Sequence, residues 1–101
     1  MKINISSGFE IVEDLIKLRW VPEILESIDS GNHRYSEIKR SIDGISDTEL
    51  NRKLTTLVEK GTIVKEEDLD SISYILLEFG KELVHIFYHL EELQEKYLEA
   101  L

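Results

Sequence analysis

Residues 35–61 read YSEIKRSIDGISDTELNRKLTTLVEKG, and the spacing within them decides the fold. Tyr35-Ser36-Glu37-Ile38-Lys39-Arg40-Ser41-Ile42 predicts a short helix capped by Ser36. Asp43-Gly44-Ile45 follows as a tight turn, in which Gly44 can take the positive φ that a sharp reversal needs. Ser46-Asp47-Thr48-Glu49 has the form of a capping box: the Ser46 hydroxyl accepts from the Glu49 amide while the Glu49 carboxylate reaches back. Leu50, Leu54, Leu57 and Val58 then lay one apolar stripe along a second helix. Lys60-Gly61 ends it with a cation and a glycine.

Working outward, the period changes after Gly61. Thr62-Ile63-Val64-Lys65 and Ile72-Ser73-Tyr74-Ile75-Leu76 are rich in β-branched and aromatic residues and flank the polar stretch Glu66 to Ser71, which predicts a hairpin. Upstream, Ile11, Val12, Leu15, Ile16 and Leu18 have helical spacing over Phe9 to Arg19. Trp20-Val21-Pro22 interrupts that helix. A second one is expected from about Pro22 to Ile28, with Ile24, Leu25 and Ile28 buried, until Gly31-Asn32 stops the chain. A final helix is expected over about Phe79 to Leu98. The series describes a mainly α chain with a small β-hairpin, a winged helix-turn-helix with N- and C-terminal dimerisation helices. One domain over 1–101 is expected, with the helix-turn-helix at about 35–60, the wing at about 62–77 and the last helix at about 79–98.

Composition narrows the function classes. Of 101 residues, 42% are hydrophobic and 33% charged, a globular balance rather than a disordered one. No apolar run approaches the roughly 20 residues a bilayer span needs, and the N-terminal residues carry no secretory pattern. A cytoplasmic protein without membrane contact is expected. Without cysteine there is no thiol nucleophile, thiolate metal site or disulfide. The net charge of −9 is unevenly spread: residues 1–33 carry −3, 34–65 carry +2 and 66–101 carry −8. Exposed charges more than about 8 Å apart are largely screened at physiological salt, so a basic middle can coexist with an acidic end.

In a helix-turn-helix, the second helix enters the major groove of double-stranded DNA. With its leucines inward, that helix would offer Asp47, Thr48, Asn51, Arg52 and Thr55 to base edges. Arg52 suits guanine, Asn51 adenine, and the threonine methyls thymine. Arg34, Lys39, Arg40 and Lys65, with Ser36 and Ser46, would hold phosphates. Read alone, such a helix is also what any solvated amphipathic surface looks like; the ordered series of elements is what favours DNA.

The chain resembles the HxlR-type winged helix-turn-helix transcriptional regulators, which are related to the MarR group. The resemblance runs through Leu15 to Trp20, Ile24-Leu25, Gly31 to Ile38, Ile42 to Ser46, Leu50, Leu54, Leu57, Lys60-Gly61, Tyr74-Ile75-Leu76 and Gly80. It implies a bacterial or archaeal homodimer joined by its first and last helices, with the fourth helix on DNA. Two features depart from the pattern. The cysteine of members that sense oxidants or aldehydes is missing. Glu66, Glu67, Asp68 and Asp70 make the wing acidic, so either the wing stays off the DNA or the protein binds something else.

The final helix carries apolar residues on more than one stripe, among them Phe79, Leu83, Val84, Ile86, Phe87, Tyr88, Leu90, Leu93, Tyr97 and Leu98. Its surplus predicts a second copy as cover, through Phe87, Leu90, Leu93 and Tyr97 together with Ile11, Leu15 and Leu18. His85 and His89 share one face at metal-chelating spacing, but without a third ligand in a known zinc pattern no metal or cofactor is expected. Nothing points to a small-molecule effector. A winged-helix adaptor that binds a basic protein through the acidic wing is the alternative. An enzyme is the weakest reading, because no paired carboxylates, nucleophile–base set or phosphate loop stands out.

Overall fold

A computed structural model describes residues 5–98, with the side chains of residues 5–8 and of Ile11 outside that description. The order is α1 (Ile5–Ile16), α2 (Val21–Asp29), α3 (Tyr35–Ser41), α4 (Asp47–Glu59), β1 (Ile63–Glu67), β2 (Ile72–Leu76) and α5 (Glu78–Leu93), with a π-helical turn over Gln94–Leu98. This is a mainly helical winged helix-turn-helix with one antiparallel hairpin.

One buried cluster organises it. Ile24, Leu25 and Ile28 of α2, Ile38 of α3, and Leu50, Leu54 and Leu57 of α4 converge, and Ile63, Leu76, Leu83 and Val84 close the cluster from the hairpin and α5. Fully burying a leucine or isoleucine stabilises by about 1.5–3 kcal/mol. Three such anchors on α4 fix which side of that helix faces out. Val58, expected on the same stripe, is 37% exposed. It stands about 100° round the helix from Leu57, and the 4–3 spacing of the leucines already fills the inward side.

Several boundaries move for identifiable reasons. α1 ends at Ile16 rather than Arg19, because Trp20 turns into the left-handed region (φ 75°, ψ −8°) and starts α2 with its carbonyl accepting from the Ile24 amide. α3 is preceded by Arg34 as its cap position, not Ser36. Arg34 is extended, and its N–H donates to Glu37 Oε1 at 3.0 Å. It is extended because the chain there pairs with the hairpin: Arg34 bridges Ser73, and the Tyr74 amide donates to the His33 carbonyl at 2.8 Å. β1 runs to Glu67, so Glu66 and Glu67 belong to the strand rather than to the tip. The register pairs Ile63 with Leu76 and Glu67 with Ile72, and the Asp68 amide donates to the Ser71 carbonyl across the turn.

Leu15, expected in a subunit contact, is 1% exposed and lies in this chain's own core. Its side chain points from α1 into the cluster that α2 and α5 build. Leu18 and Phe87 are half-buried and pack against the same core. Ile11 lies outside the described side chains. Leu90 (47% exposed), Leu93 (38%) and Tyr97 (63%) do face outward.

The wing and α5 meet at Thr62, which is fully buried. Its hydroxyl donates to the Leu57 carbonyl at 2.7 Å, and its own carbonyl accepts from the Leu77 amide at 3.0 Å. Gly80 sits against that carbonyl so closely that a Cβ would collide with it and with the Leu76 side chain. Gly80→Ala is therefore expected to destabilise the fold by about 1–3 kcal/mol, the usual range for overpacking. Urea unfolding followed by far-ultraviolet circular dichroism would read this, and an unchanged midpoint would contradict the packing described.

Candidate nucleic-acid interface

The outward side of α4 is built from the leucine side. With Leu50, Leu54 and Leu57 interred, Asp47, Thr48, Asn51, Arg52 and Thr55 are all exposed. Three ties set the N-terminal end of this helix. The Ser46 Oγ accepts from the Glu49 amide at 3.1 Å and donates to Glu49 Oε1 at 3.2 Å. The Trp20 indole Nε1 donates to Glu49 Oε2 at 2.8 Å. The Tyr35 hydroxyl donates to Asp47 Oδ1 at 2.7 Å, with Lys39 Nζ 3.6 Å from the same oxygen. The first caps the helix locally, the second braces its start against the α1–α2 corner, and the third braces it against α3.

These ties decide what each expected contact residue is free to do. The Ser46 hydroxyl is used in both directions by Glu49, so it has little left for a phosphate. Asp47 is held by Tyr35 and Lys39. Thr55 donates its hydroxyl to the Asn51 carbonyl at 2.9 Å and so presents mainly its methyl. Among the described residues, Arg52, Arg40 and Arg34 form no salt bridge. Lys65 lies 3.1 Å from Glu67, which raises its pKa by hydrogen bonding and leaves its charge locally compensated.

Between the wing and the starts of α3 and α4 lies a groove of about 890 Å³. Arg34, Lys65, Asn51, Tyr35 and Ser36 line it, along with Asp47, Glu67, Asp68 and Asp70. Four carboxylates face two cations there, so the groove favours cations over phosphate. The cationic positions away from it are Lys39 and Arg40 at the end of α3 and Arg52 and Lys53 on α4. Burial, followed by the hydrogen bond to and charge of Asp47, pushes the Tyr35 phenol up to about 12, so it stays a donor at neutral pH.

On α5, His85 and His89 are exposed, and His89 Nδ1 stands 3.8 Å from Glu92. Among the described residues no group of three histidines, cysteines or carboxylates is placed to hold a metal, and no helix is long and apolar enough to cross a membrane.

A family profile described as HxlR-like helix-turn-helix matches residues 15–101, nearly the whole chain. The chain belongs to the HxlR-like helix-turn-helix family. This HxlR-like chain is 31% identical over 81 residues to YvaP, an uncharacterised HTH-type transcriptional regulator of Bacillus subtilis (strain 168), across 77% of its own length and 75% of that protein. Its fold superposes on a MarR-family transcriptional regulator from Enterococcus faecalis V583 with a TM-score of 0.86 at 20% identity, covering 99% of this chain and 94% of that one. The reduced form of the transcriptional regulator YodB from B. subtilis gives 0.78 at 22% identity, with coverages of 100% and 98%. At those identities the likeness carries the fold.

Sequence reasoning missed three parts of this HxlR-like site: the Trp20–Glu49 bond, the Tyr35–Asp47–Lys39 network and the pairing of Arg34 with Ser73. Each joins residues eight or more apart in the sequence, so local spacing holds no signal for it. A bulky aromatic beside Val21-Pro22 was the one visible hint at the first.

Glu49 also makes a pH prediction. Its carboxyl is held below the ordinary 4.5, chiefly by the Trp20 indole, then by Ser46 and Arg19, against a smaller opposing push from desolvation. A depressed folded value means the contribution is present above the unfolded value and is lost as pH falls through the folded one. Trp20 is the single tryptophan. Its fluorescence should therefore shift as pH drops below about 4.5, and the same titration of Glu49→Gln should lack that step. An identical step in both proteins would contradict the assignment.

Proposed function

We propose that the chain is a cytoplasmic transcriptional regulator that binds double-stranded DNA as a homodimer, one winged-helix unit per subunit. The observation that carries this is the exposed polar side of α4, held rigid by its buried leucines, with Asn51 and Arg52 outermost and Lys39 and Arg40 at the neighbouring end of α3. Arg52 offers a bidentate fork for guanine and Asn51 one for adenine, while Thr48 and Thr55 present methyls for thymine. Lys39 and Arg40, which stand clear of the acidic groove, supply phosphate contacts, whereas Arg34 and Ser36 line that groove. The acidic groove keeps the wing tip away from the backbone.

The homodimer reading rests on the outward face of α5 and its extension. Ile86, Leu90, Leu93 and Tyr97 are exposed and spaced four, three and four apart, a seam of the kind that packs two helices together. On α1, Phe9 and Ile16 are exposed seven apart. The radius of gyration, 14.9 Å, exceeds the roughly 13 Å of a compact 100-residue domain, as expected where a helix end projects to meet a second copy. A two-fold pair would set two copies of α4 about one DNA turn apart.

A mobility-shift titration against genomic fragments at low salt tests the DNA reading; no retarded species for the wild type would refute it. Arg52→Ala is expected to lose about 1–3 kcal/mol of specific binding and to relax the preference at one base pair. Leu93→Asp is expected to shift the sedimentation velocity species from dimer to monomer, and a wild type that sediments as a monomer throughout the micromolar range would rule the dimer out. The four carboxylates of the wing groove favour one second reading, an adaptor for a basic protein. Stoichiometric recovery of such a partner, together with absent DNA binding, would favour it.

A further inference from the structure

Trp20 occupies a conformation that its side chain does not explain by itself. Among the described residues it is the one non-glycine with positive φ, at 75°. Glycine makes such a corner without steric cost, whereas an L side chain resists it. A large residue kept in a strained corner points to work done by its side chain. That side chain reaches across to α4, 29 residues on, and donates Nε1 to Glu49 Oε2 at 2.8 Å. Two further contacts aim it. The Arg19 guanidinium stacks on the ring, 4.7 Å from its centroid. The Cη2 atom lies 4.0 Å from where a Cβ on Gly44 would stand, so the ring abuts the turn between α3 and α4.

Resting on the DNA reading above, we infer that Trp20 is a positioning residue for that recognition surface: its indole grips Glu49 and thereby sets where Asn51 and Arg52 meet the bases. Glu49 precedes these residues by two and three positions on one helix, less than a turn away. The leucine anchors decide which side of α4 faces inward, but apolar packing carries no directional bond at the helix start. The Trp20–Glu49 hydrogen bond adds that direction at the first turn from the α1–α2 corner, as Tyr35–Asp47 does from α3. Base-edge hydrogen bonds need heavy-atom distances within about half an ångström, so a small roll costs specificity while leaving phosphate contacts intact. The same corner ends α1, which carries Phe9 and Ile16, so the side proposed to meet a second copy is linked by one side chain to the side proposed to read DNA.

The test compares specific with non-specific DNA affinity at a temperature where circular dichroism shows each protein fully folded. Trp20→Phe keeps a ring and removes only the N–H donor. It should lower the specific-to-non-specific ratio about tenfold or more while leaving the log–log salt slope unchanged. Glu49→Ala should do the same, Glu49→Gln should keep the ratio because an acceptor oxygen remains, and Trp20→Phe combined with Glu49→Ala should lose no more than either alone. A role in folding alone would reduce both affinities together and would not be rescued by glutamine. An unchanged ratio in Trp20→Phe, or losses that add, would overturn the inference while leaving the DNA reading standing. A wild type that retards no fragment would overturn both, and that result precedes any variant. Should Trp20→Phe fail to fold, the contrast between Glu49→Ala and Glu49→Gln decides the matter from the other end of the bond.

Discussion

Burial of Leu50, Leu54 and Leu57 against Ile24, Leu25, Ile28 and Ile38 orients everything else in this chain. Once those leucines are inside, the helix Asp47–Glu59 has one outward side, and its residues are dictated by the 3.6 period. The hairpin follows because Gly61 and Thr62 turn the chain back over the same cluster, and Ile63 enters it. α5 follows because Gly80 lets the helix approach the Thr62 carbonyl. Each later element depends on the position of the one before.

Electrostatics pull in two directions across the same surface. Carboxylates near a helix start suit the partial positive charge there, and Glu49 and Asp47 are further satisfied by Trp20, Ser46, Tyr35 and Lys39. Those internal partners stabilise the position of α4 but take the place that a phosphate would occupy at a bare helix end. The wing adds Glu67, Asp68 and Asp70 to the groove beside it. The cations of α3 and α4 stand clear of that groove, which separates a basic surface from an acidic one within a single small molecule.

The last helix shows the complementary problem of apolar surface in a small chain. Gly80, Leu83 and Val84 are buried near its start, whereas Ile86, Leu90, Leu93 and Tyr97 are exposed. A 101-residue chain encloses a modest core, and the helix outruns it. The apolar seam belongs to α5 and its extension, and the exposed polar side belongs to α4.

The sequence by itself determined the order and type of the elements, the leucine side of α4, the glycine turn at Gly44, the serine cap at Ser46 and the outward residues Asn51, Arg52 and Thr55. These depend on periodicity and on the backbone demands of single residues, which are local. Tertiary structure alone decided that Leu15 belongs to the core, that Arg34 is drawn into the hairpin, that Asp47 is held by Tyr35 and Lys39, and that Trp20 reaches Glu49. Those facts depend on which surfaces meet after the chain has turned several times. Contact across 29 residues is set by the path of the backbone between them, and no spacing in the sequence encodes it.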